Sequence, residues 1–235
     1  MTPIKKSDQE TPKWARCLVL GASKIGKSTA VVNSMPRPLV INCDGNDALS
    51  FASTMPSTDE WASLNVTTKK DLRAAIKVAE QGVKDGEYAT IVVDTISVLA
   101  ANLQYELGLT YSGFELWDEL KKELLRMYIQ LDRLPAHLVL VCHLRPPIYN
   151  EKKEEIKVDV GDLPDIGGSV SRELPKRVSN VILFKQEIEQ GAPKTYFLAG
   201  AQTSWNVNSR GLKGAVKIPS EEGLPAILRK MGIRI

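Results

Sequence analysis

The sequence predicts an α/β domain with a mostly parallel central sheet and helices on both faces. Two observations predict it. Four short apolar runs are continuous rather than alternating, as strands covered on both faces must be. Segments of helical period lie between them, and strands alternating with helices make a parallel sheet. Composition agrees. Of 235 residues, 43% are hydrophobic and 25% charged, which suits one ordinary domain with a real core and argues against global disorder. A net charge of +3 is compatible with an anionic partner without requiring one. Cys17, Cys43 and Cys142 lack metal-ligand spacing and read as buried thiols of a reducing compartment. His137 and His143 are the only histidines, which argues against a multi-histidine metal site. No apolar run approaches the ~18 residues of a membrane span. The first residues, MTPIKKSDQETPK, lack the apolar core of a signal peptide. A cytoplasmic protein without a membrane partner is expected.

Residues 1–12 are polar, carry two prolines and read as a flexible tail before a single domain over 13–235. The first strand is Ala15–Leu20 (ARCLVL), ending at Gly21. Pro38–Cys43 (PLVINC) is the second, Ala89–Val93 (ATIVV) the third, and His137–Cys142 (HLVLVC) the fourth. Leu72, Ile76, Ala79 and Val83 mark one amphipathic helix; Leu116, Leu120, Leu124, Met127 and Leu131 mark another within 113–134. This alternation puts Gly21, Asp44, Asp94 and His143 at one sheet edge, the carboxyl edge where open α/β sheets bind ligands. Residues 144–168 break the pattern. They are polar, rich in proline and glycine, and form a long mobile loop. Arg177–Lys185 and Lys194–Ala199 read as two further strands joined by a Gly-Ala-Pro turn. A C-terminal extension, 205–235, carries one short helix over Leu224–Met231 and six Lys/Arg against two Glu. There is no internal repeat.

The chemistry lies in Gly21-Ala22-Ser23-Lys24-Ile25-Gly26-Lys27-Ser28, which fits the phosphate-binding loop G-x-x-x-x-G-K-[ST] without a mismatch. An apolar strand precedes it and a helix-compatible TAVVNSM follows. Glycines let the backbone wrap closely round phosphates, and the loop amides point inward as an anion nest. The helix N-terminus adds partial positive charge. Lys27 is placed to meet the β/γ-phosphates, Ser28 to ligate Mg²⁺, and Thr29 to lie near the α-phosphate. The expected ligands are ATP and Mg²⁺. The competing reading is a chance glycine-rich turn, which the flanking pattern disfavours.

A phosphate loop with Mg²⁺ calls for a second carboxylate. Asp94, after four apolar residues at a strand end, fits; it would also serve as a helix N-cap. Hydrolysis needs a group to orient or deprotonate water. Asp44 ends the strand that follows the phosphate-loop helix, with Asp47 close by; the competing reading is an Asx-turn in CDGNDA. His143 ends the fourth strand, where a polar side chain can sense the γ-phosphate, or can simply be satisfied structure. His137, at that strand's other end, is assigned no role. Trp14 and Trp205 read as packing residues rather than adenine stackers.

In this order the motifs resemble a RecA-like P-loop ATPase core. LVINCD places Asp44 where RecA proteins carry a catalytic glutamate. Asp94-Thr95 stands where they have Asp-Ser, and Cys142-His143-Leu144-Arg145 where they have Asn-Gln-Ile-Arg, so His143 takes the sensor position. Gly167-Gly168 followed by SVSRELPKRVSNVILF resembles the end of their DNA-binding loop and the helix and strand beyond it. Closer still, over about residues 14–210, the chain is similar to phage nucleotide-binding proteins of the RecA-like single-strand annealing family. The resemblance implies an ATPase that binds single-stranded DNA, forms a homo-oligomeric ring or filament, and acts in phage recombination beside a single-stranded-DNA-binding protein, in the host cytoplasm if phage-encoded. Asp44 is shorter than the usual glutamate, so hydrolysis is expected to be slow or DNA-stimulated, and binding or annealing is favoured over strand exchange by a long filament.

Two loops of the resemblance face DNA: Gln104–Gly113 and Arg145–Gly168. Arg145, Lys152, Lys153, Lys157, Arg172, Lys176 and Arg177 are candidate phosphate contacts, and Tyr111 and Tyr149 candidate base stackers. The competing reading is a solvated loop with no ligand. Lys185 and Arg210 are candidates for a cation donated in trans to a neighbour's γ-phosphate. Two other functions stay open: an ATP-dependent switch or assembly ATPase acting on a protein partner, and a small-molecule kinase. The kinase is weakened by a single arginine, Arg145, in 144–168.

Overall fold

A computed structural model describes residues 13–45, 61–145, 164–200, 214–233 and 235. In chain order the described elements are β1 (Arg16–Gly21), α1 (Lys27–Val32), β2 (Pro38–Asn42), β3 (Ala62–Asn65), α2 (Lys69–Lys84), β4 (Thr90–Asp94), α3 (Ile96–Gly108), α4 (Gly113–Asp132), β5 (His137–His143), α5 (Val170–Arg177), β6 (Asn180–Glu189), β7 (Ala192–Ala199), β8 (Val216–Pro219), a 3-10 turn (Ser220–Glu222) and α6 (Gly223–Lys230). The strands form one sheet in the order β3-β2-β4-β5-β1-β6-β7-β8. All pairings from β3 to β6 are parallel; β7 and β8 join antiparallel. This is the expected α/β class, a mostly parallel central sheet with helices on both faces.

Successive residues of a buried strand face opposite ways. Leu18 and Leu20 of β1 join a core with α2, α3, α4 and α5, whereas Cys17 and Val19 join a second core with α1 and α6. The continuous apolar runs are therefore read from both sides, and helices cover both faces. The three cysteines are buried thiols. In α2, Leu72, Ala75, Ile76, Ala79 and Val83 face inward, and a reciprocal capping box of Thr68 and Asp71 starts the helix. Trp14 packs edge-on against His137, 5.3 Å between centroids, as a packing residue should.

Four expectations need correction. The stretch 104–113 is mostly helix, because Ile96, Leu99, Ala100, Leu103 and Leu107 continue one buried stripe and carry α3 to Gly108. Arg177 ends α5 rather than starting a strand, and β6 begins at Asn180. The β6–β7 turn is Gln190-Gly191, with φ of 53° and 80°, while Ala192 and Pro193 already pair with β6. That is a two-residue hairpin loop of left-handed residues, whose twist matches the strands. Strands β3 and β8, four residues each, were not anticipated. Through β8 and α6 the C-terminal extension joins the sheet and the second core. Residues 1–12, and 146–163 of the long loop, lie outside the described residues.

Register sets the site. Gly21 of β1 lies opposite His143 of β5, and Asn42 of β2 opposite Asp94 of β4. The strand ends carrying the candidate residues are thus level along one edge.

Candidate active site

Gly21 closes β1 where space runs out. A Cβ there would lie 2.5 Å from the Phe184 carbonyl oxygen and 3.0 Å from Lys27 Cδ. Ala22, Ser23 and Lys24 are exposed and Ile25 half-buried. Gly26 then turns the chain into α1 with φ 89°, a conformation that favours glycine. Lys27 points inward from α1 with 4% of its surface exposed, and its Nζ donates to the Ala22 carbonyl. Burial pushes the ammonium pKa down, and the negative charges of Asp94 and Asp44 oppose that shift.

Asp94 is 2% exposed, and burial raises its carboxyl to about 6. The Ser28 hydroxyl donates to it and, with Lys27, favours the ionised form, while Asp44 opposes it. Its Oδ1 is buried without a hydrogen-bond partner among the described residues. Asp94 is not the cap of α3. That role belongs to Thr95, whose Oγ1 accepts the Val98 N–H at 3.4 Å. The Asp94–Thr95 peptide is cis.

Asp44 Oδ1 accepts the Thr95 N–H at 3.0 Å and the Thr95 hydroxyl at 2.9 Å. Among the described residues of this segment, the turn chemistry belongs to Asn42. Its Oδ1 accepts the Asp44 N–H at 3.2 Å, and its Nδ2 donates to the Gly45 carbonyl and to Asn65 Oδ1, both at 2.8 Å. The Asp44 carboxylate is thereby held against the Asp94–Thr95 junction. His143 is half-buried at the end of β5. Its N–H donates to Ser97 Oγ at 2.9 Å and its carbonyl accepts the Asp165 N–H at 2.7 Å. Burial lowers the imidazole pKa, and the charge of Lys27 lowers it further.

Lys27, Ser28, Asp94, Asp44 and His143 therefore converge on one edge. Among the described residues, the DNA and trans-cation candidates make no hydrogen bond or ion pair to these five. Arg145 is half-buried and donates to the Ile166 carbonyl at 3.3 Å, while Arg172 is exposed on α5. Lys185 is half-buried on β6, one residue past Phe184. Asp47, Tyr149, Lys152, Lys153, Lys157, Trp205 and Arg210 lie outside the described residues. Thr95, Ser97 and Asn42 were missed as positioning residues. Only Thr95 carried a signal, as the hydroxyl residue directly after Asp94.

Beside the phosphate loop runs an open cleft. Thr29 and Asn33 form one wall, Phe184 another, and Ser220 and Glu221 the third. The third wall is fixed to α1: Ser34 Oγ donates to the Ala30 carbonyl at 2.7 Å and accepts the Leu224 N–H at 3.1 Å. A Cβ at Gly223 would lie 2.5 Å from Ser34 Cβ, so the approach needs glycine.

These residues fit a nucleotide with Mg²⁺. A buried ammonium meets only a carbonyl among the described residues, and a buried carboxylate oxygen beside a hydroxyl lacks any partner. The first is a donor for phosphate oxygens and the second an acceptor for a hydrated cation, level with a glycine cradle.

No curated protein sequence matches the chain. Among solved structures it is similar to a KaiC-like protein from the hyperthermophilic archaeon Pyrococcus horikoshii, at 12% identity and a TM-score of 0.45, over 86% of this chain and 83% of that one. Residues 13–213 match the AAA domain family, a span that runs from before the phosphate loop to beyond β7 and takes in Lys27, Ser28, Asp44, Asp94 and His143. With the phosphate loop, the buried Asp94 and the strand order on one edge, that match places the chain in the AAA domain family of P-loop ATPases.

Proposed function

We propose that the protein is a Mg²⁺-dependent ATPase that binds single-stranded DNA as a homo-oligomer and promotes phage-type recombination or strand annealing. The observation that carries the ATPase part is the convergence of Lys27, Ser28, Asp94 and Asp44 on one sheet edge. Support for the DNA part is the layout beyond His143: Gly167-Gly168, then α5 with exposed Arg172, Lys176 and Arg177, then β6.

The amides of Ala22–Ser28 and the Lys27 ammonium bind the β- and γ-phosphates, with the nucleoside directed into the cleft of Asn33, Phe184 and Glu221. Ser28 and Asp94 would hold Mg²⁺, Asp94 through its water shell; when bound, Mg²⁺ withdraws charge from the phosphate oxygens. Asp44, braced by Thr95, orients the attacking water and takes its proton. Lys27 stabilises the charge that develops in the transition state. His143, tied to α3 through Ser97, senses the γ-phosphate and passes its presence to the chain that leaves β5.

A second reading is a nucleotide-driven switch acting on a protein partner. It is favoured by exposed aliphatic surface at the α3–α4 connection, where Leu109 is 76% exposed. One experiment separates the two. ATP hydrolysis is measured with Mg²⁺, with and without single-stranded DNA, for the unaltered protein and Lys27→Ala. Stimulation by DNA that vanishes in the variant supports the recombination reading. Hydrolysis without stimulation, and no DNA binding in the ATP state at low salt, favours the switch.

A further inference from the structure

We propose that the outer face of α2 is a second nucleic-acid contact, a cationic groove that takes the phosphates of single-stranded DNA; this rests on the DNA-binding reading above. Lys69, Lys70, Arg73 and Lys77 fall at helical spacings that put them along one side of α2, flanking the buried Leu72, Ile76 and Ala79. From Lys69 to Lys77 the stripe runs about 12 Å along the helix axis. With Ala74 and Glu106 these residues line a groove between α2 and the end of α3.

The charges are held in place. Glu123 of α4 is 5% exposed and would be costly there alone. Lys69 Nζ reaches its Oε1 at 2.7 Å, Arg126 at 2.8 Å and Arg73 at 3.7 Å. One cation suffices to neutralise one carboxylate; three leave positive charge in excess and fixed in position. Glu106 Oε2 is engaged by the Lys69 N–H at 2.7 Å. Lys70 and Lys77 are exposed and make no ion pair among the described residues. The groove lining thus sets four cations, Lys69, Lys70, Arg73 and Lys77, against one carboxylate, Glu106, which is already engaged.

Two features favour a polynucleotide over an acidic peptide. Tyr105, directly before Glu106, is 77% exposed, and Phe114 is 95% exposed at the start of α4. A cationic track bordered by an exposed aromatic residue, here Tyr105 next to the groove's Glu106, is the usual platform for single strands, the ring taking a base while the cations take phosphates. The groove is also at the right end of the molecule. Strand β3 is parallel to β2, so α2 starts from the same sheet edge as the phosphate loop.

The test is anisotropy of labelled oligothymidylate against the full chain with ATP and Mg²⁺ over a range of salt. Lys70→Glu with Lys77→Glu leaves the Glu123 cluster intact. Lys84→Glu with Lys230→Glu is the control of equal charge, one site at the far end of α2 and one on α6. The groove variant is expected to lose at least tenfold in affinity and to flatten the salt slope by about 1.4, two contacts at ~0.7 each. The control keeps its affinity, and both keep ATP binding. Equal losses in the two variants, or none in the groove variant while the unaltered protein binds, overturn the groove and leave the DNA reading standing. Polyglutamate displacing the DNA as well as unlabelled oligothymidylate overturns the ligand assigned. No DNA binding by the unaltered protein overturns both.

Discussion

Asp94 works against the fold it sits in. Its carboxyl is raised to about 6, so the folded chain holds that proton more tightly than the unfolded chain does. Stability from this group therefore falls as pH rises from the ordinary carboxylate range through about 6, and an ionised Asp94 at neutral pH is a standing cost. Asp94→Asn is expected to keep or raise Tm at pH 7 while cutting ATP hydrolysis at least ~100-fold, the pattern of a site kept for chemistry rather than stability. A lower Tm with unchanged hydrolysis would contradict it. His137 behaves oppositely. It is 3% exposed, its Nδ1 accepts the Ala15 N–H at 3.1 Å, and burial lowers its pKa to about 4. The neutral ring's contribution is complete above the ordinary histidine value and is lost as pH falls towards 4, a difference on the order of 3 kcal/mol. Urea midpoints between pH 7 and pH 4.5 are expected to fall less steeply in His137→Gln than in the unaltered protein.

At the scale of elements, the nucleotide cleft depends on α6 staying against α1. The link is the Ser34 hydroxyl, bonded to Leu224 across 190 positions of sequence. Ser34→Ala strands a buried N–H, at about 1–3 kcal/mol. A fall in Tm and a raised KM for ATP with little change in kcat are expected, because the cleft wall moves while Lys27 and Asp94 do not. An unchanged KM would detach the C-terminal turn from nucleotide binding. This wall was not legible in the sequence, and neither was β8: VKIP is too short to show a period, and it pairs only because β7 offers an edge. Strand β3, ASLN, is equally short and half-exposed. Long continuous runs such as TIVVD and HLVLVCH were legible because both their faces are covered, which leaves no polar position to blur them. The phosphate loop was legible because its chemistry fixes residue types at fixed spacing. Ser97 and Asn42 were not, since a hydroxyl or amide that braces a backbone can come from many positions.

At the scale of the molecule, Lys185 is the trans-cation candidate that lies among the described residues. The hairpin of β6 and β7 outruns the sheet: β1 pairs with β6 only as far as Leu183, and β8 with β7 only from Tyr196. Lys185 sits at the root of that arm. Alternation puts Phe184 in the core beside α1, where it also lines the nucleotide cleft, and Leu183 in the opposite core. Lys185 shares the face of Leu183, so its side chain leaves β6 away from its own cleft. A lysine so placed would serve a γ-phosphate only by reaching a neighbour's. Mixing two inactive variants tests this. A Lys27→Ala subunit still carries Lys185, and a Lys185→Ala subunit still carries a working phosphate loop. If Lys185 acts in trans, each mixed interface of one orientation holds a complete site, and an equal random mixture should recover roughly a quarter of the unaltered rate in a cyclic or helical assembly. If it acts in cis, every site in the mixture lacks one lysine or the other and the rate stays at the level of the separate variants. Full activity of Lys185→Ala alone would remove the residue from the reaction altogether.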